Sequence, residues 1–222
     1  MRPAESPAGK VVAVDPGHNG GNAAHPSEIN RTVDIGNGRK ACDTAGAETA
    51  EGYSEAAYNL DVALRLRRLL EGMGATVVMT RTTNTGVGPC INKRAQIGNR
   101  AHADAAISIH ADGGPSSGRG FHVIYPAALH GLTDDIAAPS RRLALDIRAA
   151  YQRGTHMPRA DYIGHEGQRS DLGGLNLSDV PKVFIEAGNM ANATDAAHLE
   201  RPGFRQQAAR AIAAGITRYL TS

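Results

Sequence analysis

Short runs of small and β-branched apolar residues alternate along this chain with longer segments of helical periodicity, and this alternation constrains the fold most strongly. Residues 10–15, 105–110 and 182–186 are three such runs, and charged or histidine side chains stand at their ends. The segment 54–73 instead carries apolar residues on one stripe of a helix. Buried strands separated by helices predict an α/β fold with a mostly parallel, twisted sheet and helices on both faces.

The remaining segments indicate one domain over residues 1–222 with a sheet of about six strands. Residues 1–9 are expected to form a flexible N-terminus. The stretch 19–50, called the insertion below, shows no sustained period and is expected to be a long loop or hairpin near the site, because long loops in compact domains are commonly functional. Residues 160–177 are expected to be irregular. Further strands are predicted at 75–80 and 120–125, and further helices at 91–103, 137–152, 194–199 and 202–220.

Composition excludes several classes of function. The net charge is only +2 and aromatic residues make up 4% of the chain, with no Trp. Nucleic-acid binding is therefore not expected, since it needs a basic face or aromatic rings for stacking. No apolar run is long enough to span a membrane. The segment after the first strand is not a glycine-rich phosphate loop, which disfavours a nucleotide-binding protein.

The two cysteines, Cys42 and Cys90, leave two interpretations open. They could form one disulfide, or they could be two free buried thiols. The N-terminal residues have no apolar signal-peptide core, which fits either a cytosolic protein or a protein whose leader has been removed.

The candidate functional residues lie at the carboxyl ends of the predicted strands. Ligands of open α/β sheets bind at this edge, where His18, His110 and Glu186 follow or end three strands. Glu55 begins the helix that starts at the same edge. Each residue alone is more often structural, but two histidines and a carboxylate are a recurrent zinc ligand set, although other first-row metals are not excluded. A further carboxylate can then serve as general base and acid.

At these positions the chain resembles the zinc-dependent N-acetylmuramoyl-L-alanine amidases of bacterial cell-wall turnover, the amidase-3 group. The motifs follow in order over nearly the whole chain, and together they are fairly specific. They are Val14–Gly20, Glu55–Leu60, Thr80–Arg81, Arg94, Asn99, Ser108–Asp112, Val183–Gly188 and Asn192.

The resemblance implies one zinc ion per chain, with general acid and base work by Glu186. The zinc ligands it implies are His18, Glu55 and His110. Glu51 is an alternative to Glu55, which is favoured by its distance to Asn59. Substrate contacts are expected from Asn19, Asp112 and Leu175. The other histidines match no motif and are expected to be structural or exposed: His25, His102, His122, His130, His156, His165 and His198.

The implied reaction is hydrolysis of the amide bond between N-acetylmuramic acid and L-alanine in peptidoglycan or muropeptides. We then expect a monomer that is secreted, periplasmic or bound to the cell wall, with its leader peptide absent from this sequence. A disulfide would be chemically permitted there. Two alternatives stay open: another zinc peptidase or carboxypeptidase acting on wall peptides, and a non-catalytic wall-binding regulator with the amidase fold.

Overall fold

The computed structural model describes residues 6–164 and 167–222, and it confirms the predicted α/β architecture. In chain order the strands are β1 (Val11–Pro16), β2 (Thr32–Asp34), β3 (Arg39–Ala41), β4 (Thr76–Met79), β5 (Ala105–Asp112), β6 (His122–Pro126), β7 (Gln168–Arg169) and β8 (Lys182–Asn189). The helices are α1 (Pro26–Ile29), α2 (Glu55–Gly72), α3 (Ile91–Arg100), α4 (Ala137–Thr155), α5 (Gly173–Asn176), α6 (Ala193–Leu199) and α7 (Pro202–Thr221).

The main sheet has six strands in the order β4-β1-β5-β8-β6-β7. The first four of these are parallel to one another, whereas β6 runs antiparallel to β8 and pairs in parallel with β7. Strands β1, β5 and β8 are neighbours, so their carboxyl ends meet at one edge. In the ladder between β5 and β8, His110 lies directly opposite Glu186.

The two faces of the sheet are covered unequally. Val14, Ile107 and Ile185 point into the main core, which α2, α4 and α7 complete with fully buried apolar side chains. The alternate residues Ala13 and Ala106 belong to a much smaller cluster on the face of α3. Because side chains alternate along a strand, the polar residues of β1, β5 and β8 emerge on this thinner face.

Helix α2 forms where the sequence predicts it. The Ser54 hydroxyl caps it by accepting a hydrogen bond from the Ala57 amide. Its apolar stripe, which includes Val62, Leu66 and Leu70, is fully buried against the sheet and α7. This packing fixes the first residue of the helix at the carboxyl edge of the sheet.

The insertion contains α1 and an antiparallel hairpin formed by β2 and β3. A disulfide between Cys42 and Cys90 joins the end of this hairpin to the residue that precedes α3. The structure thus shows the bridged form of the two that the sequence leaves open. Asn176 of α5 also donates hydrogen bonds from its amide to Ile35 and Asn37 of the insertion.

The structure adds detail to one terminal and one loop segment. Within the expected flexible N-terminus, Ser6 Oγ donates to Met73 O and the Gly9 amide donates to Gly74 O, while residues 1–5 lie outside the described residues. The stretch 160–177 contains the two-residue β7 and the four-residue α5, which are too short to give a period. His165 also lies outside the described residues. In the part of the chain that the structure describes, no helix has the length and apolarity needed to cross a membrane.

We expect the disulfide to stabilise the fold strongly. It closes a sequence separation of 48 residues, for which the chain-entropy model gives about 4 kcal/mol. Reduction by a dithiol should therefore lower the melting temperature of the protein by about 10 °C, measured by circular dichroism. The Cys42→Ser, Cys90→Ser double variant is the control, and its melting temperature should not respond to the dithiol. Reduction of the wild-type bridge, verified by thiol titration, without a change in melting temperature would contradict this expectation.

Candidate metal centre

The structure brings His18, Glu55 and His110 together at the carboxyl edge of the sheet. His18 follows β1, Glu55 is the first residue of α2, and His110 lies in β5. Their potential ligand atoms all lie within 4.8 Å of one another. Glu55 Oε1 is 2.8 Å from His110 Nδ1 and 3.3 Å from His18 Nε2. Glu51 is exposed and is not part of this cluster, so the geometry favours Glu55 as the carboxylate.

The loop that carries His18 is held by its backbone carbonyls. Arg81 donates to the carbonyls of Pro16 and Gly17, and Arg94 donates to those of Pro16 and His18. The Asn59 amide of α2 adds a second donor to Gly17 O. Arg81, Arg94 and Asn59 belong to motifs of the family resemblance that imply no role for them, and the structure shows that all three donate hydrogen bonds to this loop.

Close packing around the loop requires glycine. A Cβ atom on Gly17 would lie 2.1 Å from His110 Cε1, so no other residue fits there without displacing the imidazole. His18 itself has a φ of 56°, in the left-handed region that few non-glycine residues adopt. Such strain persists only where surrounding contacts determine the conformation.

In each imidazole, one nitrogen forms a hydrogen bond with a neighbouring side chain and the other nitrogen faces Glu55. His18 Nδ1 is 2.8 Å from Asp43 Oδ1, and His110 Nε2 is 3.2 Å from Ser108 Oγ. Ser108 in turn donates to Asp15 Oδ2 at 2.8 Å. Such partners orient metal-binding histidines. Ser108 belongs to a motif of the family resemblance that implies no role for it, whereas Asp43 lies in the insertion, 25 residues from His18, where no local pattern indicates it.

Charged groups beneath the two histidines neutralise one another. Arg94 pairs with Asp15 at 2.8 Å and with Asp43 at 3.2 Å, and Lys182 lies 3.8 Å from Asp15. Burial alone would raise the pKa of Asp15, but Arg94 and Lys182 hold it well below its usual range. Burial alone would likewise raise the pKa of Asp43, which its contacts with His18 and Arg94 lower. Both side chains are therefore buried carboxylates.

His18 and Glu55 shift the pKa of one another in opposite directions. Burial lowers the pKa of His18, but the Glu55 carboxylate and the hydrogen bond with Asp43 outweigh it and raise the pKa to about 10. Burial raises the pKa of Glu55, yet His18 and His110 bring it well below its ordinary value. The carboxylates of Glu55 and Asp43 thus create a negative potential at His18, which favours a bound cation as well as a proton.

Glu186 lies on β8 beside His110 and faces a cavity of about 320 Å³. Its Oε2 atom is buried and accepts no hydrogen bond from any described residue. Burial, followed by the nearby charges of Glu55 and Asp112, raises the pKa of Glu186 well above its ordinary value. The walls of the cavity also include Lys40, Ala41, Thr44, Ile91, Leu172, Gly173, Gly174 and Phe184.

The three residues expected to contact substrate do not line this cavity. The Asn19 amide is buried and donates to Thr85 O and Gly86 O. Leu175 is fully buried, whereas its neighbours at 172–174 form part of the cavity wall. Asp112 ends β5, and its carbonyl accepts a hydrogen bond from the Met190 amide. The role of these three residues in substrate contact stays a prediction.

Comparison with known proteins gives a consistent result. The Amidase_3 family model, described as N-acetylmuramoyl-L-alanine amidase, matches residues 12–218. The chain is 41% identical over 218 residues to the N-acetylmuramoyl-L-alanine amidase Rv3717 of Mycobacterium tuberculosis (strain ATCC 25618 / H37Rv), covering 97% of this chain and 88% of that protein.

Solved structures agree with the sequence match. The crystal structure of the N-acetylmuramyl-L-alanine amidase Ami1 from Mycobacterium smegmatis has a TM-score of 0.89 and 40% identity, covering 97% of this chain and 98% of that chain. The structure of the apo form of Ami1 from Mycobacterium abscessus has the same TM-score of 0.89 and 43% identity, covering 96% and 99%. With a family model matched over most of its length, this chain belongs to the Amidase_3 family of N-acetylmuramoyl-L-alanine amidases.

Proposed function

We propose that this amidase uses one zinc ion and Glu186 to hydrolyse the amide bond between N-acetylmuramic acid and L-alanine, in peptidoglycan or in soluble muropeptides. The convergence of His18, Glu55 and His110 beside a cavity that also contains Glu186 carries this proposal. Because the substrate is a wall component, we further propose that the protein acts outside the cytosol. We also propose that it acts as a monomer.

The donor atoms fit zinc. Two imidazole nitrogens and one carboxylate oxygen form a ligand set that zinc hydrolases use, and it leaves a coordination position for the reaction. Asp43 and Ser108 bind the opposite nitrogens of the two rings, which leaves His18 Nε2 and His110 Nδ1 as the ligand atoms. Zinc bound there would polarise the scissile carbonyl and make water a better nucleophile at neutral pH.

Glu186 supports the proton transfers of such a reaction. Its carboxylate lines the cavity, and its Oε2 atom has no hydrogen bond with any described residue that would compete for a proton. It takes a proton from the attacking water and returns this proton to the departing alanine nitrogen. The Phe184 ring forms part of the cavity wall and stacks on His110 with ring centroids 5.1 Å apart.

The Glu186→Gln variant should lose activity and keep its zinc. The amide cannot accept the proton from water, and general acid–base catalysis is worth about 10²–10⁴-fold in rate. We therefore expect kcat to fall by that factor while metal analysis gives one zinc per chain. Glu71→Gln, on the exposed side of α2, is the matched control and should retain full activity. A Glu186→Gln variant with a near wild-type rate would show that another group moves the proton.

The His110→Ala variant should lose the metal. Two ligands remain after this change, which is too few for a stable zinc site. Inductively coupled plasma mass spectrometry after dialysis should show zinc well below one equivalent, whereas His130→Ala, at an exposed position, should keep its zinc. One full equivalent of zinc in His110→Ala would exclude His110 as a ligand.

Product analysis separates the proposed reaction from the alternatives. Mass spectrometry of muropeptides incubated with the zinc-loaded protein should show muramic acid with a free lactyl carboxylate, and stem peptides with a free N-terminal alanine. A chelator should abolish both products, and added zinc should restore them. Release of a C-terminal amino acid would instead indicate a carboxypeptidase, and absence of any product from the zinc-loaded protein would indicate a non-catalytic protein.

A further inference from the structure

We propose that Asp43 is a positioning residue for the metal centre: it sets which nitrogen of His18 faces the metal, and the Cys42–Cys90 disulfide holds it in place for that task. The inference rests on the proposed zinc centre. It concerns a residue of the insertion, which lies outside every motif that carries the family resemblance.

Asp43 makes a direct and buried contact with the ring of His18. Its Oδ1 atom is 2.8 Å from His18 Nδ1, and its side chain is only 4% exposed. Thr44 Oγ1 is 3.3 Å from the same nitrogen and makes a longer second contact. A carboxylate can only accept hydrogen bonds, so this contact requires the proton of the neutral imidazole to sit on Nδ1. Nε2 faces Glu55, and its lone pair becomes available to a metal when the imidazole is neutral, as metal binding requires.

The ring of His18 needs a side-chain partner to orient it, because His18 belongs to no helix or strand that would fix its position. It lies beyond the end of β1 in a left-handed conformation. Arg94 links the two residues: its Nη2 atom donates to His18 O at 2.9 Å and lies 3.2 Å from Asp43 Oδ2. The same nitrogen therefore fixes the backbone of His18 and the carboxylate that orients its ring.

The disulfide fastens the segment that presents Asp43. Residues 42–44 belong to no helix or strand, since β3 ends at Ala41. Cys42 is bonded to Cys90, and the Ile91 amide donates to Cys42 O at 2.9 Å. Arg94 lies one helical turn further along α3. The bridge thus joins the segment of Asp43 to the helix whose arginine binds it.

Replacing Asp43 by asparagine tests the hydrogen-bond polarity without changing the size of the side chain. Oδ1 accepts from His18 and from the Thr44 amide, and Oδ2 accepts from Arg94. If the new amide group faced Arg94, two N–H groups would oppose each other. If it faced His18, Nδ1 would become the acceptor and the proton would move to Nε2, where it blocks metal binding. Both orientations weaken the site.

The zinc dissociation constant is the first readout, measured by competition with a chromogenic chelator. We expect Asp43→Asn to bind zinc about 10–100-fold more weakly than the wild type, which is typical for loss of such a partner. Asp195→Asn is the matched control, because Asp195 is also fully buried, accepts backbone N–H groups and pairs with Arg119. This control should lose thermal stability and keep wild-type zinc affinity.

A spectroscopic readout separates positioning from general stability. In the zinc-loaded wild type, nitrogen-edited NMR should show the hydrogen-bonded Nδ1 proton of His18, and in Asp43→Asn this signal should shift or disappear. If Asp43→Asn does not fold, the Cys42→Ser, Cys90→Ser double variant decides, studied at a temperature where circular dichroism shows it to be folded. We expect it to bind zinc at least several-fold more weakly than the wild type.

Each contrary result has a distinct meaning. Wild-type zinc affinity and an unchanged His18 signal in folded Asp43→Asn would overturn the role of Asp43. Wild-type zinc affinity in the double cysteine variant would overturn the role of the bridge. Absence of zinc binding by the wild-type protein would overturn the proposed zinc centre itself, and the inference with it.

Discussion

The candidate site depends on the buried guanidinium of Arg94 more than on any other single group. It pairs with Asp15 of β1 and with Asp43 of the insertion, and it donates to the carbonyls of Pro16 and His18. Removing one partner from such a buried set leaves an uncompensated charge, which typically costs about 3–5 kcal/mol. Strand β1, the loop that carries His18 and the insertion are therefore held in the one relative arrangement that pairs all of these charges.

The unequal faces of the sheet explain why the site is where it is. On the face covered by α2, α4 and α7, many apolar side chains are buried in one large cluster. On the other face, alanines at positions 13 and 106 and short helices leave volume near the strand ends. This volume is the cavity, and the period of two along β1, β5 and β8 directs Asp15, Ser108 and Glu186 toward it.

The sequence was sufficient to predict the elements with a clear hydrophobic period and the residues that meet at the carboxyl edge of the sheet. Strands β1, β5 and β8 and helix α2 are long enough to show their patterns, and the parallel order then brings His18, Glu55 and His110 to one edge. The pairing of Cys42 with Cys90 and the position of Asp43 depend on how the insertion folds over α3, and the orientation of Ser108 depends on its contacts with Asp15 and His110. Segments of two to four residues such as β7 and α5 are too short to show a period, so no local pattern could predict them.

The Oε2 atom of Glu186 has no hydrogen-bond partner among the described residues, and this has a thermodynamic consequence. A buried polar atom without a partner typically lowers the stability of the folded state by roughly 1–3 kcal/mol. Substitutions that fill this position are expected to make the fold more stable while removing the group that we propose to move the proton. Under the proposed function, the residue present at position 186 favours activity over stability.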